Sequence, residues 1–300
     1  MIAAPGALDS TRLELARRAI VPPPELEQRI KALIASELGG VLPPRPDRGL
    51  DHYYATVVLG TRAVDAFRGL AGHVPSTALP VVDIGAGLGS FVLLSLLLDQ
   101  PTVGVEPGVA ELDLARERAV SLGLPPESFV QGTGEELPVP PSGAAAVLLQ
   151  DVLEHVRDWR AVLAQAARAL TPGGALYVKG PSYAVRFFEP HYRVPWLPML
   201  PHSLAAPYLR ALARDPHYLR HIAFIRRGEV LRELRSLGLE LFFPRVSKLG
   251  RPELINRAWA RRVTALAVRA RVPGAIARSL AESPLQSAID VVAVKPTSPR

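Results

Sequence analysis

The sequence predicts an α/β fold: a doubly wound, mostly parallel seven-strand sheet with helices on both faces, an N-terminal helical cover, and helical or loop insertions after strands five and six. Three observations carry this. A β-branched run, Val81-Val82-Asp83-Ile84, ends in the tight turn Gly85-Ala86-Gly87-Leu88-Gly89 and passes into an apolar helical stretch at 91–98. Strand and helix patterns then alternate to residue 180, which implies right-handed crossovers between parallel strands. The alternation breaks twice, at 181–225 and again at 251–284.

Taken in order, residues 1–50 hold helices at 12–20 and 25–38, parted by Pro22-Pro23-Pro24 and closed by Gly39-Gly40. Residues 51–70 read as one helix beside the first strand, with Tyr53 and Tyr54 able to roof the glycine loop. Strand two is 102–106, and a helix follows at 111–122. Strand three is 129–131, and strand four, 144–150, is apolar on both faces as a covered central strand must be. A helix at 159–170 leads through Thr171-Pro172-Gly173-Gly174 to strand five at 175–179. A helix at 227–237, strand six at 239–244 and strand seven at 289–294 complete the set.

Composition bounds the function. The 300 residues are 48% hydrophobic, ample for a full core, and contain no cysteine, which excludes disulfides, thiol catalysis and Cys-ligated zinc. No signal peptide or membrane span is legible, so a soluble, cytoplasmic protein is expected. The formal charge of +7 is uneven: residues 205–280 carry a net +11 and the remainder −4. Such a basic surface suits anionic lipid, nucleic acid or a phosphorylated substrate, and equally a solvated face in an arginine-preferring chain.

The glycine spacing selects the ligand. A dinucleotide fingerprint, Gly-x-Gly-x-x-Gly, requires glycine at position 90, where this chain has Ser90. Asp83-Ile-Gly85-Ala-Gly87-Leu-Gly89 instead resembles motif I of the class I, seven-strand S-adenosylmethionine (SAM) methyltransferases. Glu106, about 20 residues past the loop at the end of strand two, stands where an acid reaches a ribose diol. Gly132-Thr133-Gly134-Glu135-Glu136-Leu137-Pro138 resembles the family's adenine-bordering segment, with Thr133 in place of the usual Asp. Gln150-Asp151-Val-Leu-Glu154-His155-Val through Leu170-Thr-Pro-Gly-Gly-Ala-Leu176 is similar to the ubiquinone- and menaquinone-biosynthesis methyltransferases. The resemblance implies SAM as cofactor, held by Asp83, Gly85, Gly87, Gly89, Glu106, Thr133, Gly134, Glu135 and Gln150, and a strand seven inserted antiparallel.

The resemblance covers residues 79–180; 1–50 form an N-terminal extension to a methyltransferase domain at 51–300. Residues 181–225, rich in Pro, His and aromatics, suit a substrate lid, or else a structural insertion at the sheet edge. In 251–284, Ile255, Trp259, Val263 and Leu266 line one side of a cationic amphipathic helix, able to touch a membrane or to dock on its own domain.

His155, after strand four, and His191, in the lid, are candidates to take a proton from a methyl acceptor. Asp151, Glu154 and His155, at i, i+3 and i+4, share a face on a helical turn. They resemble the Glu-x-x-Glu-His metal site of ubiquinone O-methyltransferases, but the Glu-His pair recurs in relatives without metal, and no metal is assigned. The expected function is transfer of a methyl group to an O or C atom of a small-molecule, lipid-like or glycan acceptor. A nucleic-acid (RNA) acceptor rests on the basic patch alone, because Asp/Asn-Pro-Pro-Tyr/Phe is missing after strand four, and a non-catalytic SAM-binding module ranks third.

Overall fold

The computed structural model describes residues 10–39, 41, 49–184, 189, 191–244, 283 and 286–298. The chain runs α1 (Ser10–Ala19), α2 (Pro24–Leu38), α3 (Leu50–Val57), α4 (Thr61–Leu70), β1 (Val81–Ile84), α5 (Ser90–Leu97), β2 (Thr102–Glu106), α6 (Val109–Ser121), β3 (Phe129–Gln131) and β4 (Ala144–Gln150). It continues through α7 (Trp159–Ala169), β5 (Leu170–Pro181), α8 (His202–Ala211), α9 (Arg227–Ser236), β6 (Glu240–Phe242) and β7 (Ala288–Val294). The sheet order is β3-β2-β1-β4-β5-β7-β6. The first five strands pair in parallel, whereas β7 runs antiparallel to both β5 and β6, so the sheet is mixed at that edge.

Alternation along the strands explains the layers, since successive side chains leave a strand on opposite faces. Val82, Ile84, Val147, Leu149, Leu176 and Val178 pack with Val162 and Leu163 of α7 and Val230 and Leu234 of α9. Val81, Ala146, Leu148, Ala175 and Tyr177 pack with Leu13 of α1, Phe67 of α4 and Phe91 of α5. Helices therefore cover both faces. The start of α7 is set by Asp158, whose carboxylate accepts the N–H groups of Arg160 and Ala161 at 3.0 and 3.1 Å.

Residues 51–70 form two helices where one was expected. Gly60 adopts φ +78°, and a Cβ there would lie 2.6 Å from the Ile20 side chain, so the backbone turns where only glycine fits. Strand five is longer than expected, because Leu170 already pairs with Ala144 across a bulge. The basic insertion predicted at 251–284 lies almost wholly outside the described residues. No helix among the described residues is long and apolar enough to cross a membrane.

The N-terminal helices are integral to the packing. Leu26, Ile30, Ile34 and Leu38 form one buried stripe on α2 at helical spacing, against Tyr54 and Val58 of the α3 segment and Leu88 of the glycine loop. Each such side chain contributes roughly 1.5–3 kcal/mol on burial. A single cation ties these parts together. Arg118, on α6 and 1% exposed, donates from Nη1 to Leu88 O and to Ser90 Oγ (3.1 Å), and from Nη2 to Ile20 O (2.9 Å) and Val58 O (3.0 Å).

Candidate active site

The three glycines of the loop do different work, although all have positive φ. A Cβ on Gly85 would stand 2.7 Å from Val152 Cγ2, and one on Gly89 would stand 2.6 Å from the Phe129 ring. Those two allow close packing. Gly87 (φ +52°) has no heavy atom within 4 Å of its would-be Cβ, so it leaves open space beside the backbone. Its N–H donates to Glu106 Oε2 at 2.8 Å, and the Gly108 N–H donates to Oε1 at 2.9 Å. Both oxygens of Glu106 are thus oriented, with lone pairs left to accept hydroxyl protons. Burial raises the Glu106 pKa, and the two backbone N–H groups counter that rise.

Beside the loop lies a crevice of about 230 Å³ whose lining includes Glu37, Tyr53, Arg62, Asp83, Gly87 and Glu111. Burial raises the pKa of two of its acids, Asp83 and Glu37. Burial, then the Glu106 charge, push Asp83 well above the usual carboxylate range. Loss of bulk water, then a hydrogen bond to Glu111, push Glu37 up as well. A crevice with open space at Gly87 and surplus carboxyl groups fits SAM, whose sulfonium and ammonium are cationic. Gly85 and Gln150 line it too, and Gln150 Nε2 donates to Arg62 O at 3.4 Å.

The adenine-side residues stand outside that lining. The Thr133 hydroxyl accepts the Glu136 N–H at 3.2 Å. A Cβ on Gly134 would sit 3.0 Å from Ile84 and Val162, which makes this glycine a packing residue between β1 and α7. The Glu135 carboxylate accepts the N–H groups of Arg157 and Asp158 at 3.1 and 3.5 Å, at the entrance to α7. Tyr53 lines the crevice as expected of a roof, whereas Tyr54 is buried against α2.

A second cavity, of about 610 Å³, adjoins the first and shares Tyr53, Arg62, Gln150 and Asp151 with it. Its lining includes Glu154, His155, Lys179, His191, Arg193 and Tyr218. His155 and His191, far apart in sequence, meet here edge to face with ring centroids 5.0 Å apart, and the Tyr218 ring lies 5.9 and 5.5 Å from them. The His155 Nδ1 donates to His221 O at 2.8 Å. The His191 Nδ1 lies 2.7 Å from Oε1 of Glu189, a fully buried acid whose Oε2 accepts the backbone N–H groups of His191 and Tyr192. Loss of bulk water, then the His191 ring, lower the His155 pKa, keeping it neutral near pH 7.

One arrangement expected from the sequence does not form. Asp151, Glu154 and His155 do not share a helical turn: Asp151 has φ +55°, and its Oδ2 pairs with Arg62 Nη1 at 2.6 Å, while Leu153–His155 is a separate 3₁₀ turn. The structure instead brings together Glu154, His155 and His191. Sequence reasoning missed Glu37, Arg62, Glu189 and Tyr218, because each comes from a different element and only the fold collects them. Glu189, two residues before a singled-out histidine, was the one with a local signal.

Residues 82–178 match a family model described as a methyltransferase domain. The chain is 29% identical over 172 residues to a ubiquinone biosynthesis O-methyltransferase of Azorhizobium caulinodans, covering 56% of this chain and 61% of that one. It is 31% identical over 114 residues to a demethylmenaquinone methyltransferase of Tropheryma whipplei, covering 38% and 46%. The chain thus spans about half of the length of these curated relatives. Among solved structures, the [4+2]-cyclase SpnF shares the fold, with a TM-score of 0.50 and 16% identity over 80% of this chain and 83% of that one. Residues 82–178 therefore match a methyltransferase domain, and over part of its length the chain is similar to methyltransferases of ubiquinone and menaquinone biosynthesis.

Proposed function

We propose that the chain transfers a methyl group from SAM to an O or C atom of a small-molecule acceptor, with quinol-like phenols, lipid-like molecules and glycans as the classes to test. One observation carries the reading: the glycine-loop crevice and the histidine-lined cavity meet at Tyr53, Arg62, Gln150 and Asp151. A donor in the first and an acceptor in the second face each other across a short shared wall. Such transfer is an in-line displacement, so alignment and exclusion of water are the protein's main contributions.

When bound, the cofactor supplies the electrophilic methyl on its sulfonium. Glu106 would hold the ribose hydroxyls, Asp83 and Glu37 would meet a cationic group in the crevice they line, and the open side of Gly87 would let a ligand approach the backbone. Removal of the acceptor's proton falls to the His155–His191 pair, whose Nδ1 atoms are engaged and whose Nε2 atoms are left for the cavity. Residues 181–225 act as the lid, since His191, Arg193 and Tyr218 all come from them.

The test is calorimetric titration of the full chain with SAM and with S-adenosylhomocysteine, followed by mass spectrometry of acceptor mixtures. Saturable binding and a one-methyl mass gain on a phenol, lipid or glycan support the reading. Methylation confined to added RNA would transfer the activity to the nucleic-acid reading. Saturable binding with no acceptor modified in any class would leave a binding module, or another reaction on the fold that also builds a [4+2]-cyclase.

A further inference from the structure

We propose that the acceptor is a polyhydroxylated, sugar-type molecule, recognised by the polar walls of the second cavity and methylated on an aliphatic hydroxyl. The inference deepens the methyltransferase reading of that cavity, on which it rests for the transfer itself. Three features carry it.

The first is the lining. Small-molecule pockets are mostly walled by apolar and aromatic side chains, with a few polar groups among them. Here the proportion is reversed. Among the described residues the aliphatic lining is confined to Leu38, Pro181, Ala288 and Ile289, whereas His52, Thr56, Thr61, Arg62, Asp65 and Lys179 line the same cavity. A prenyl chain laid there would take water from these groups and return no hydrogen bond, a cost that grows with every group covered. A sugar offers several hydroxyls, each both donor and acceptor.

The second is how those groups are held. Arg62 Nη1 meets Asp151 Oδ2 at 2.6 Å, and Lys179 Nζ lies 3.5 Å from Asp65 Oδ2. Each pair sets a donor beside an acceptor, so neighbouring sugar hydroxyls can bridge it without unbalancing its charge. Thr56 Oγ1 donates to the His52 carbonyl at 2.8 Å, which leaves it to act as an acceptor. Tyr53 and Tyr218 add flat apolar faces for the C–H side of a ring.

The third is the base. A phenol ionises at about pH 10, whereas an alcohol is far less acidic and depends on a positioned base. Of the two histidines, His191 is the one backed by a carboxylate: its Nδ1 lies 2.7 Å from Glu189 Oε1. That fully buried acid is itself fixed by the backbone N–H groups of His191 and Tyr192 and by the Tyr183 hydroxyl at 3.3 Å. A hydroxyl, an imidazole and an orienting carboxylate in series is the arrangement that makes an alcohol nucleophilic. The alcohol proton passes to His191 Nε2 while the oxygen's electron pair forms the new C–O bond. The bond from methyl carbon to sulfur breaks and its pair stays on sulfur, giving a methyl ether and S-adenosylhomocysteine; the proton then leaves to water.

The test uses the full chain and reads sugar binding and methyl transfer separately. Saturation-transfer NMR, and mass spectrometry after incubation with SAM, are run on the methyl glycosides of glucose, galactose, mannose and rhamnose, on UDP-glucose and on a mannan oligosaccharide, beside catechol and geranyl-catechol. A one-methyl gain on a sugar alcohol, with both catechols unmodified, is expected, and the arm that responds tells a free glycoside from a nucleotide-linked or polymer-borne sugar. Thr61→Val and Lys179→Met should raise the KM for that sugar about tenfold with S-adenosylhomocysteine affinity unchanged. Glu189→Gln, as loss of a positioning residue, should lower kcat about tenfold or more at constant KM. A thermal melt of each variant checks folding. Faster transfer to geranyl-catechol than to any sugar overturns the class, as does an unchanged KM in both cavity variants. S-adenosylhomocysteine is titrated on the same samples: its binding with no sugar bound or methylated refutes the sugar acceptor alone, and sugar binding without it refutes the methyltransferase reading alone.

Discussion

Replacing Arg118 by methionine keeps an apolar stem of similar reach and removes the forked cation that joins the glycine loop to the ends of α1 and α3. Three carbonyls, Leu88 O, Ile20 O and Val58 O, lose a charged donor; Val58 O keeps the Ser90 hydroxyl at 3.0 Å. Charge-assisted bonds of this kind are worth about 1.5–3 kcal/mol each, so the gross loss is roughly 4–9 kcal/mol. Against it stands the desolvation that lowers the guanidinium pKa to about 10, which costs the native protein about 3 kcal/mol. The net destabilisation is therefore roughly 2–6 kcal/mol. The sign with pH follows from the same shift. A base whose pKa falls on folding pays its full burial cost at every pH below the folded value, so the loss should be equal at pH 6 and pH 8. Urea denaturation at both pH values measures it. A loss below about 1 kcal/mol, or one that differs between the two pH values, would refute the account of Arg118 as a protonated tie.

Other substitutions separate packing from ligand contact. Glu106→Ala should weaken S-adenosylhomocysteine by about 1–3 kcal/mol in calorimetry, the cost of losing charge-assisted hydrogen bonds, and should also lower the melting temperature, because the Gly87 and Gly108 N–H groups lose their acceptor. Gly87→Ala projects a methyl group into open space, so it should spare the fold more than Gly89→Ala, which collides with Phe129, and should damage cofactor binding first. Similar melting losses in the two variants would contradict that division. Burial, then the Glu106 charge, raise the Asp83 pKa, and a cationic ligand in the same crevice would favour its ionised form. SAM binding should therefore release a proton and strengthen as pH rises, and Asp83→Asn should abolish the release; calorimetry in buffers of differing ionisation enthalpy reads this directly.

The sheet was legible because its signal is local. A β-branched run ending in Asp83, a loop that tolerates only glycine at 85 and 89, and the fully apolar strand at 144–150 each depend on near neighbours in sequence. Boundaries failed where a distant residue decides. Gly60 separates α3 from α4 by adopting φ +78°, and Ile20, forty residues earlier, packs where its Cβ would stand. The crevice beside the glycine loop was partly legible through Gly87 and Gln150, which line it, and through Glu106, which accepts the Gly87 N–H. The segment 133–135 shows the limit of a motif, since its hydroxyl and carboxylate hydrogen-bond the backbone of their own turn and of the entrance to α7. The second cavity was legible only as separate residues. Nothing near His155 in sequence announces His191, and nothing near Asp151 announces Arg62.

The place of β7 has a consequence for how the sheet is made. It follows β6 in the chain yet lies between β5 and β6, pairing antiparallel with both. Until it arrives, the seven backbone positions of β5 from Ala175 to Pro181 have no ladder on that side, and β6 has nothing to join. A growing or partly unfolded chain therefore presents a bare strand edge, the surface on which chains pair with one another. Closure of the sheet is the last event available to it, and loss of β7 should expose that edge and favour self-association while the five parallel strands still stand.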